Sequence, residues 1–311
     1  MLAALRLSDA RSFVLTTRLH EKRYWREYGA AFERIAEDPT VRVIVVSSAL
    51  EKAFSAGIDR ALRCVDSPPR LSNTRLCTHT VSDLLAIPRH TDPARRALLT
   101  RTYIRDFQRA ISAPTRTPQP VIGAVHGVAF GLALDLLSAL DVRLAASDTS
   151  FSIKEVDVGL AADIGTLARL PRLVGNTSLL YELALTGRVF GAKEALGLGL
   201  VSRVVGGSRE DVVKEALGLA CEIAKKSPVA VVGVKRFVAH ALDHSCVQYV
   251  HETTFGADLF DTHALFFFWY CRTEDALEYQ ATWASFALQS KVRAPPDCTP
   301  LMYKFTACLV S

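Results

Sequence analysis

Three carboxylates, Asp135, Glu155 and Asp163, stand in a stretch of chain that is otherwise largely apolar. Asp135 opens a run of apolar and small residues, and Glu155 and Asp163 flank a segment whose only other acid is Asp157. A carboxyl group buried in such a frame holds its proton to higher pH than in water, which brings it into the range useful for general acid and base catalysis. Each acid also has a structural reading. Asp135 would be an internal helix acid bonded to a neighbour, Glu155 would pair with Lys154 or with an arginine across a subunit contact, and Asp163 would cap a helix starting near Gly165.

Two glycine-containing turns accompany the acids. Ser55-Ala56-Gly57-Ile58-Asp59 and His126-Gly127-Val128-Ala129-Phe130-Gly131-Leu132-Ala133 both place small residues after a strand-like run. Small residues let backbone N–H groups approach a ligand oxygen, and the second turn leads into a helix N-terminus, whose dipole adds positive potential. His126 reads as a packed turn residue and Asp59 as one that fixes its own turn. A glycine turn before a helix is also a common structural device, so neither turn carries chemistry by itself.

These residues need a scaffold, and the periodicity supplies one. Residues 24–37 read as an amphipathic helix stopped by Asp38-Pro39, and the β-branched run 41–46 as a buried strand. Residues 120–125 form a second strand, 132–140 a helix and 142–146 a third strand. After Asp163 the pattern is mostly helical, over 165–170, 177–185, 192–196, 209–226, 229–242 and 273–289. This predicts an α/β fold with the sheet towards the N-terminus and helices towards the C-terminus.

Composition bounds the partners. With 311 residues, 50% hydrophobic and 22% charged, the chain is long enough to bury a full core. A net charge of +5 arises from scattered lysines and arginines, not from a run that would track nucleic-acid phosphates. No apolar run reaches the roughly 18 to 20 residues needed to span a bilayer, so a soluble protein is expected. Seven cysteines at irregular spacing, without a C-x-x-C pair, indicate neither a zinc site nor a disulfide framework, and are read as reduced thiols in an intracellular compartment. No metal is expected.

The motifs occur together in a familiar order. Ser55-Ala56-Gly57-Ile58-Asp59, Pro120-Val121-Ile122-Gly123-Ala124-Val125-His126-Gly127, Asp141-Val142-Arg143 and Gly199-Leu200-Val201-Ser202 resemble the enoyl-CoA hydratase/isomerase (crotonase) superfamily. Within it, Ile153-Lys154-Glu155-Val156-Asp157-Val158-Gly159-Leu160-Ala161-Ala162-Asp163, with Gly165-Thr166-Leu167 and Leu170-Pro171, resembles the Δ3,5-Δ2,4-dienoyl-CoA isomerases. Lys226-Ser227-Pro228-Val229-Ala230 and Glu278-Tyr279-Gln280-Ala281-Thr282-Trp283 extend the match to about three quarters of the chain.

The resemblance implies a ββα spiral over residues 24–205, a helical trimerisation region over 206–291, and a homohexamer built from two trimers. It implies an isomerase of fatty acid β-oxidation that converts 3,5-dienoyl-CoA to 2,4-dienoyl-CoA with no cofactor, CoA being part of the substrate. Ile58 and Leu132 would donate backbone N–H groups to the thioester oxygen, beside Gly57 and Gly131. Glu155 would take the C2 proton and Asp163 deliver one at C6, with Asp135 as a third acid that tunes the pair. The roles of Glu155 and Asp163 could be exchanged. Alternatives are a hydratase in which Asp135 and Glu155 activate water, and a catalytically impaired acyl-CoA-binding homologue.

The chain departs from the family pattern in several places. Gly131-Leu132-Ala133 stands where the family has three glycines, raising the questions of backbone φ at position 132 and of a narrowed acyl channel. The family's opening strand and hairpin are missing or replaced by residues 1–23, whose basic character faintly resembles a mitochondrial presequence, the alternative being a degraded first strand. Segments at about 61–87 and 246–271, and the tail 292–311, have no family counterpart. The hypothesis for these three is translated intron or a misassembled reading frame, the alternative being surface insertions; recovery of all three from the mature transcript would exclude the first. Arg60 is a CoA-phosphate candidate by proximity alone. The terminal Cys308-Leu309-Val310-Ser311 is no peroxisomal address, which leaves peroxisome and mitochondrion both open.

Overall fold

The computed structural model describes residues 3–4, 15–16, 24–57, 92–243 and 301–305. The three segments without family counterpart, apart from 301–305, and the helix expected over 273–289 lie outside the described residues. The chain divides into one unit formed by Met1–Ile223 with Thr299–Ser311 and a second formed by Ala224–Cys298.

The first unit begins with two short antiparallel strands, β1 (Ala3–Ala4) and β2 (Leu15–Thr16). Helix α1 (Tyr24–Ala36) follows, and buries Trp25, Tyr28, Ala31, Phe32 and Ile35, the one-sided spacing of an amphipathic helix. That face packs on α2 (Pro93–Ile111), where Trp25 meets Phe107 at 5.2 Å and the edge of Tyr103 at 5.7 Å. Each buried aromatic of this kind contributes about 1.5–3 kcal/mol. Helix α2 was not anticipated from periodicity, although its start carries a plain signal: the Asp92 carboxylate accepts from Ala94 N–H at 2.9 Å, with Pro93 in the first turn.

Between α1 and α2 come β3 (Ile44–Ser48) and β4 (Ala53–Ser55); α2 is followed by the single turn α3 (Ala113–Arg116) and by β5 (Val121–Val125). The run 41–46 pairs only from Ile44 onward, where Ile44 N–H donates to the Pro120 carbonyl, and Val41 and Val43 are buried ahead of the ladder. Next are β6 (Val128–Phe130), α4 (Leu132–Ser138), β7 (Val142–Ala146) and β8 (Ser150–Ser152). A 3₁₀ turn, Glu155–Val158, precedes α5 (Thr166–Leu173), α6 (Thr177–Thr186), β9 (Phe190–Gly191), α7 (Ala192–Leu198) and β10 (Arg203–Val205). Helix α8 (Arg209–Ala224) runs to the boundary of the first unit, and β11 (Leu301–Phe305) returns to it.

Two main sheets result. The larger is wholly parallel, in the order β10-β7-β5-β3-β11, and β3 and β5 are buried at every position, as a sheet covered on both faces requires. The smaller has the order β4-β6-β8-β9, with β4, β6 and β8 parallel and β9 antiparallel. Phe151 stacks on Phe190 at 5.5 Å and seats β9 on β8. The expected division into an N-terminal sheet and C-terminal helices is therefore corrected: β9, β10 and β11 all join sheets after the helical stretch begins. Their shortness, two to five residues, hides them from a periodicity reading. In the tail 292–311, residues 301–305 form the edge strand beside β3, in register Leu301 with Ile44 through Phe305 with Ser48.

In the second unit the described element is α9 (Pro228–Asp243). Its Val234 and Val238 are exposed, one turn apart on one side, with Leu242 a further turn on.

Candidate functional site

Three parallel strands of the smaller sheet end at the site. β4 runs into Gly57, β6 into Gly131 and β8 into the turn that begins with Glu155. Their register, Ser55 with Ala129 and Phe130 with Ser152, aligns the three carboxyl ends, and Gly131 N–H donates to the Ser152 carbonyl at 2.9 Å. Carboxyl ends of parallel strands, where loops diverge, are where α/β sheets make ligand crevices.

The two glycine turns face each other. A methyl group at Gly57 would stand 2.9 Å from the Phe130 carbonyl oxygen, and one at Gly131 would stand 3.2 Å from Glu155 Oε1 and 3.7 Å from Gly57 Cα. Both glycines have positive φ, +89° and +54°. The left-handed backbone therefore falls at 131, and Leu132 begins the helix in the ordinary right-handed region. The Leu132 side chain is 2% exposed and belongs to the hydrophobic core, and with the positive φ at Gly131 no left-handed conformation is required of residue 132. Its N–H, first of the helix, has no intrahelical carbonyl to donate to. Ile58, Asp59 and Arg60 lie outside the described residues.

Asp135 is brought to the site by α4 and is 2% exposed. Its Oδ1 accepts from both the N–H and the hydroxyl of Thr166, each at 2.7 Å. Burial pushes its carboxyl up to about 6 against the restraint of those two bonds and of Arg169. Glu155 is half-buried, and among the described residues its Oε2 is buried without a hydrogen-bond partner. Burial first, then the charges of Asp135 and Asp163, raise it to about 7, with its own backbone N–H opposing. Lys154 does not pair with it: the ammonium goes to Asp157 at 3.0 Å and to the Gly187 carbonyl at 2.7 Å.

Asp163 departs from the expected apolar frame. It is exposed, as are residues 156–161, because the 3₁₀ turn and the loop after it run along the surface of the unit. Nor does it cap α5, whose N-cap is Gly165 without a side-chain bond. Its carbonyl is fixed instead by Gln108 of α2, whose Nε2 donates to it at 2.6 Å. His126 is a packed turn residue as expected, with Nε2 2.7 Å from the Leu50 carbonyl and burial disfavouring its charged form. Among the described residues no group of three His, Cys, Asp or Glu side chains is arranged to hold a metal ion, and no helix is long and apolar enough to cross a membrane.

Thr166, Arg169 and Gln108 were not singled out as site residues in the sequence. Arg169 bonds the Ser138 hydroxyl, the Ser112 hydroxyl and the Asp135 carbonyl, at 3.0, 3.0 and 3.1 Å. Each of these contacts spans 31 to 57 residues, so no local spacing announces them.

The family model for enoyl-CoA hydratase/isomerase matches residues 91–262. The chain belongs to this family. It is 41% identical over 253 residues to human "Delta(3,5)-Delta(2,4)-dienoyl-CoA isomerase, mitochondrial", a match that covers 79% of this chain and 71% of that one. It is 36% identical over 226 residues to the protein of the same name, "peroxisomal", from Arabidopsis thaliana, covering 72% of this chain and 74% of the relative. Among solved structures, an enoyl-CoA hydratase of Mycobacterium smegmatis superposes with a TM-score of 0.58 at 24% identity, over 86% of this chain and 80% of that one. The fold is thus the crotonase fold, with helices towards the C-terminus, as the family resemblance implied.

Proposed function

We propose that this member of the enoyl-CoA hydratase/isomerase family is an isomerase that converts 3,5-dienoyl-CoA to 2,4-dienoyl-CoA. The observation that carries the reading is an acid with an unpartnered buried oxygen, Glu155, at the mouth of two facing glycine turns, with a second, exposed acid, Asp163, held nearby by Gln108. The similarity to relatives bearing that activity in their names supports it over most of the chain.

In this reading the thioester carbonyl sits between the N–H groups of Ile58 and Leu132, and Glu155 removes a proton from C2. The electrons move into the carbonyl to give an extended enolate, which the two N–H groups stabilise. Asp163 then delivers a proton at C6, the double bonds settle at C2 and C4, and the two acids regain their starting states by exchange with water. One carboxylate serving both carbons would have to reach too far, which is why two are needed. Asp135, fixed by Thr166, acts by its charge on Glu155. The scheme uses no metal or redox cofactor; CoA is carried by the substrate.

Water activation by Asp135 and Glu155, the hydratase alternative, is disfavoured by the burial of Asp135 and the commitment of its Oδ1 to Thr166. Residues 24–205 would carry the catalytic core and 206–291 the assembly region. A homotrimer or hexamer is consistent with the apolar side chains exposed on α6, Tyr181 and Leu185, and on α9. The names of the relatives support a mitochondrial or peroxisomal location. The test is the ultraviolet absorbance of the conjugated 2,4-dienoyl thioester after addition of a 3,5-dienoyl-CoA: its appearance is expected, and hydration of a 2-enoyl-CoA without that signal would favour the hydratase reading.

A further inference from the structure

Asp135 and Glu155 are carboxyl groups close enough for the charge of one to act on the other, yet their environments are opposite. Asp135 receives two short bonds on one oxygen, from the Thr166 N–H and hydroxyl, inside a site where both residues are buried. Glu155 leaves one buried oxygen with no partner among the described residues. We propose that Thr166 is a positioning residue for this acid pair, whose two hydrogen bonds to Asp135 hold that side chain as a fixed carboxylate near Glu155.

The consequence is a division of roles. The amide N–H can only donate, and the hydroxyl donates to the same oxygen, so together they favour the anion of Asp135 over its acid form. An ionised Asp135 repels the ionised form of Glu155, delaying release of the Glu155 proton to near neutral pH and making its carboxylate a stronger base once formed. Thr166 therefore acts on the reaction through Asp135. The other groups facing the pair work around this bond. Arg169, on the same helix, bonds the Asp135 carbonyl and favours the carboxylate by charge; Asp163, from the exposed loop, opposes ionisation of both acids; and Tyr24 of α1, partly buried and held in its neutral form by desolvation, lies within reach of the Asp135 charge. Thr166 bonds the Asp135 carboxylate directly, through its N–H and its hydroxyl, each at 2.7 Å, and so acts on both its position and its charge.

This rests on Glu155 being the base at C2, and the test separates the two claims. Carboxyl ¹³C NMR titration of the full chain, with the two signals assigned from Asp135→Asn and Glu155→Gln, needs no turnover. In Thr166→Val, the Asp135 signal is expected to titrate at higher pH, and the Glu155 signal at a midpoint about half a unit lower, with a broader transition, as in coupled acids. Thr166→Ser is expected to restore both. In kcat/KM for a 3,5-dienoyl-CoA, the acid limb of Thr166→Val then moves to lower pH in the same way. Equal loss of activity at every pH with both signals unmoved would reduce Thr166 to a structural residue and overturn the proposal. If the unaltered chain forms no 2,4-dienoyl product, the isomerase reading fails while the NMR comparison still judges Thr166. Should Val at this buried site unfold the chain, Thr166→Cys, whose thiol is the poorer donor, gives the same comparison in smaller measure.

Discussion

At the scale of single residues, the unpartnered oxygen of Glu155 has a cost in stability beside the role in catalysis proposed for it. Its carboxyl holds its proton to about 7 in the folded chain and, with the ordinary value of 4.5, releases it earlier when unfolded. Between those pH values the folded state binds more protons than the unfolded state, so stability falls as pH rises through the window and is level above it. Glu155→Gln is therefore expected to stabilise the chain by about 1–3 kcal/mol at pH 8 and by little at pH 4.5, measured by urea unfolding at both. The same variant should lower kcat about 10²- to 10⁴-fold, and the acid limb of kcat/KM in the unaltered chain should fall near pH 7. Equal stability of the two chains at pH 8 would contradict the assignment of strain to this group. Gly131→Ala tests the turn: at φ +54°, with a methyl 3.2 Å from Glu155 Oε1, it should cost about 1–3 kcal/mol of strain and at least tenfold in kcat.

At the scale of elements, the frame of the proposed site is three parallel strand ends plus two helices, α5 and α2, tied to its acids. Helix α5 supplies Thr166 to Asp135, and α2 supplies Gln108 to the Asp163 carbonyl. Gln108→Leu removes only the second tie, and is expected to lower kcat severalfold while KM for the CoA thioester moves less, since the loop bearing Asp163 is loosened and the glycine turns are untouched. An unchanged kcat would show that the loop needs no such tie. This level also shows what a sequence can and cannot reveal. Gly57, Gly131, Asp135 and Glu155 were legible because each sits in a local motif whose spacing is kept by a strand, a turn or a helix. Thr166 as a partner of Asp135, and Gln108 as a partner of Asp163, are contacts between segments far apart in the chain, made only after the strands align. The exposure of Asp163 was misread for a related reason: the apolar residues of 156–161 around it face outward, and composition alone does not say which face is covered.

At the scale of the molecule, the large sheet is finished by a strand from the far end of the chain. β11 pairs with β3 over five residues in parallel, a register that no local pattern in 292–311 announces, because a backbone ladder of this kind needs its partner strand to exist first. Deleting residues 299–311 would leave the edge of β3 open, with unpaired N–H and C=O groups. The expected result is a fall in Tm of roughly 5 °C or more and a rise in aggregation, followed by calorimetry and light scattering; an unaltered Tm would show that β11 adds nothing to the sheet. The proposed site lies at the strand ends of the smaller sheet, and the central claim is that two acids on its exit loops divide a proton transfer between C2 and C6. That division is tested most directly in D₂O, by following deuterium at C2 of a 3,5-dienoyl-CoA alongside formation of the 2,4-dienoyl product. Asp163→Asn should still exchange the C2 proton while forming little product, and Glu155→Gln should lose both. Exchange retained in Glu155→Gln and lost in Asp163→Asn would contradict the assignment.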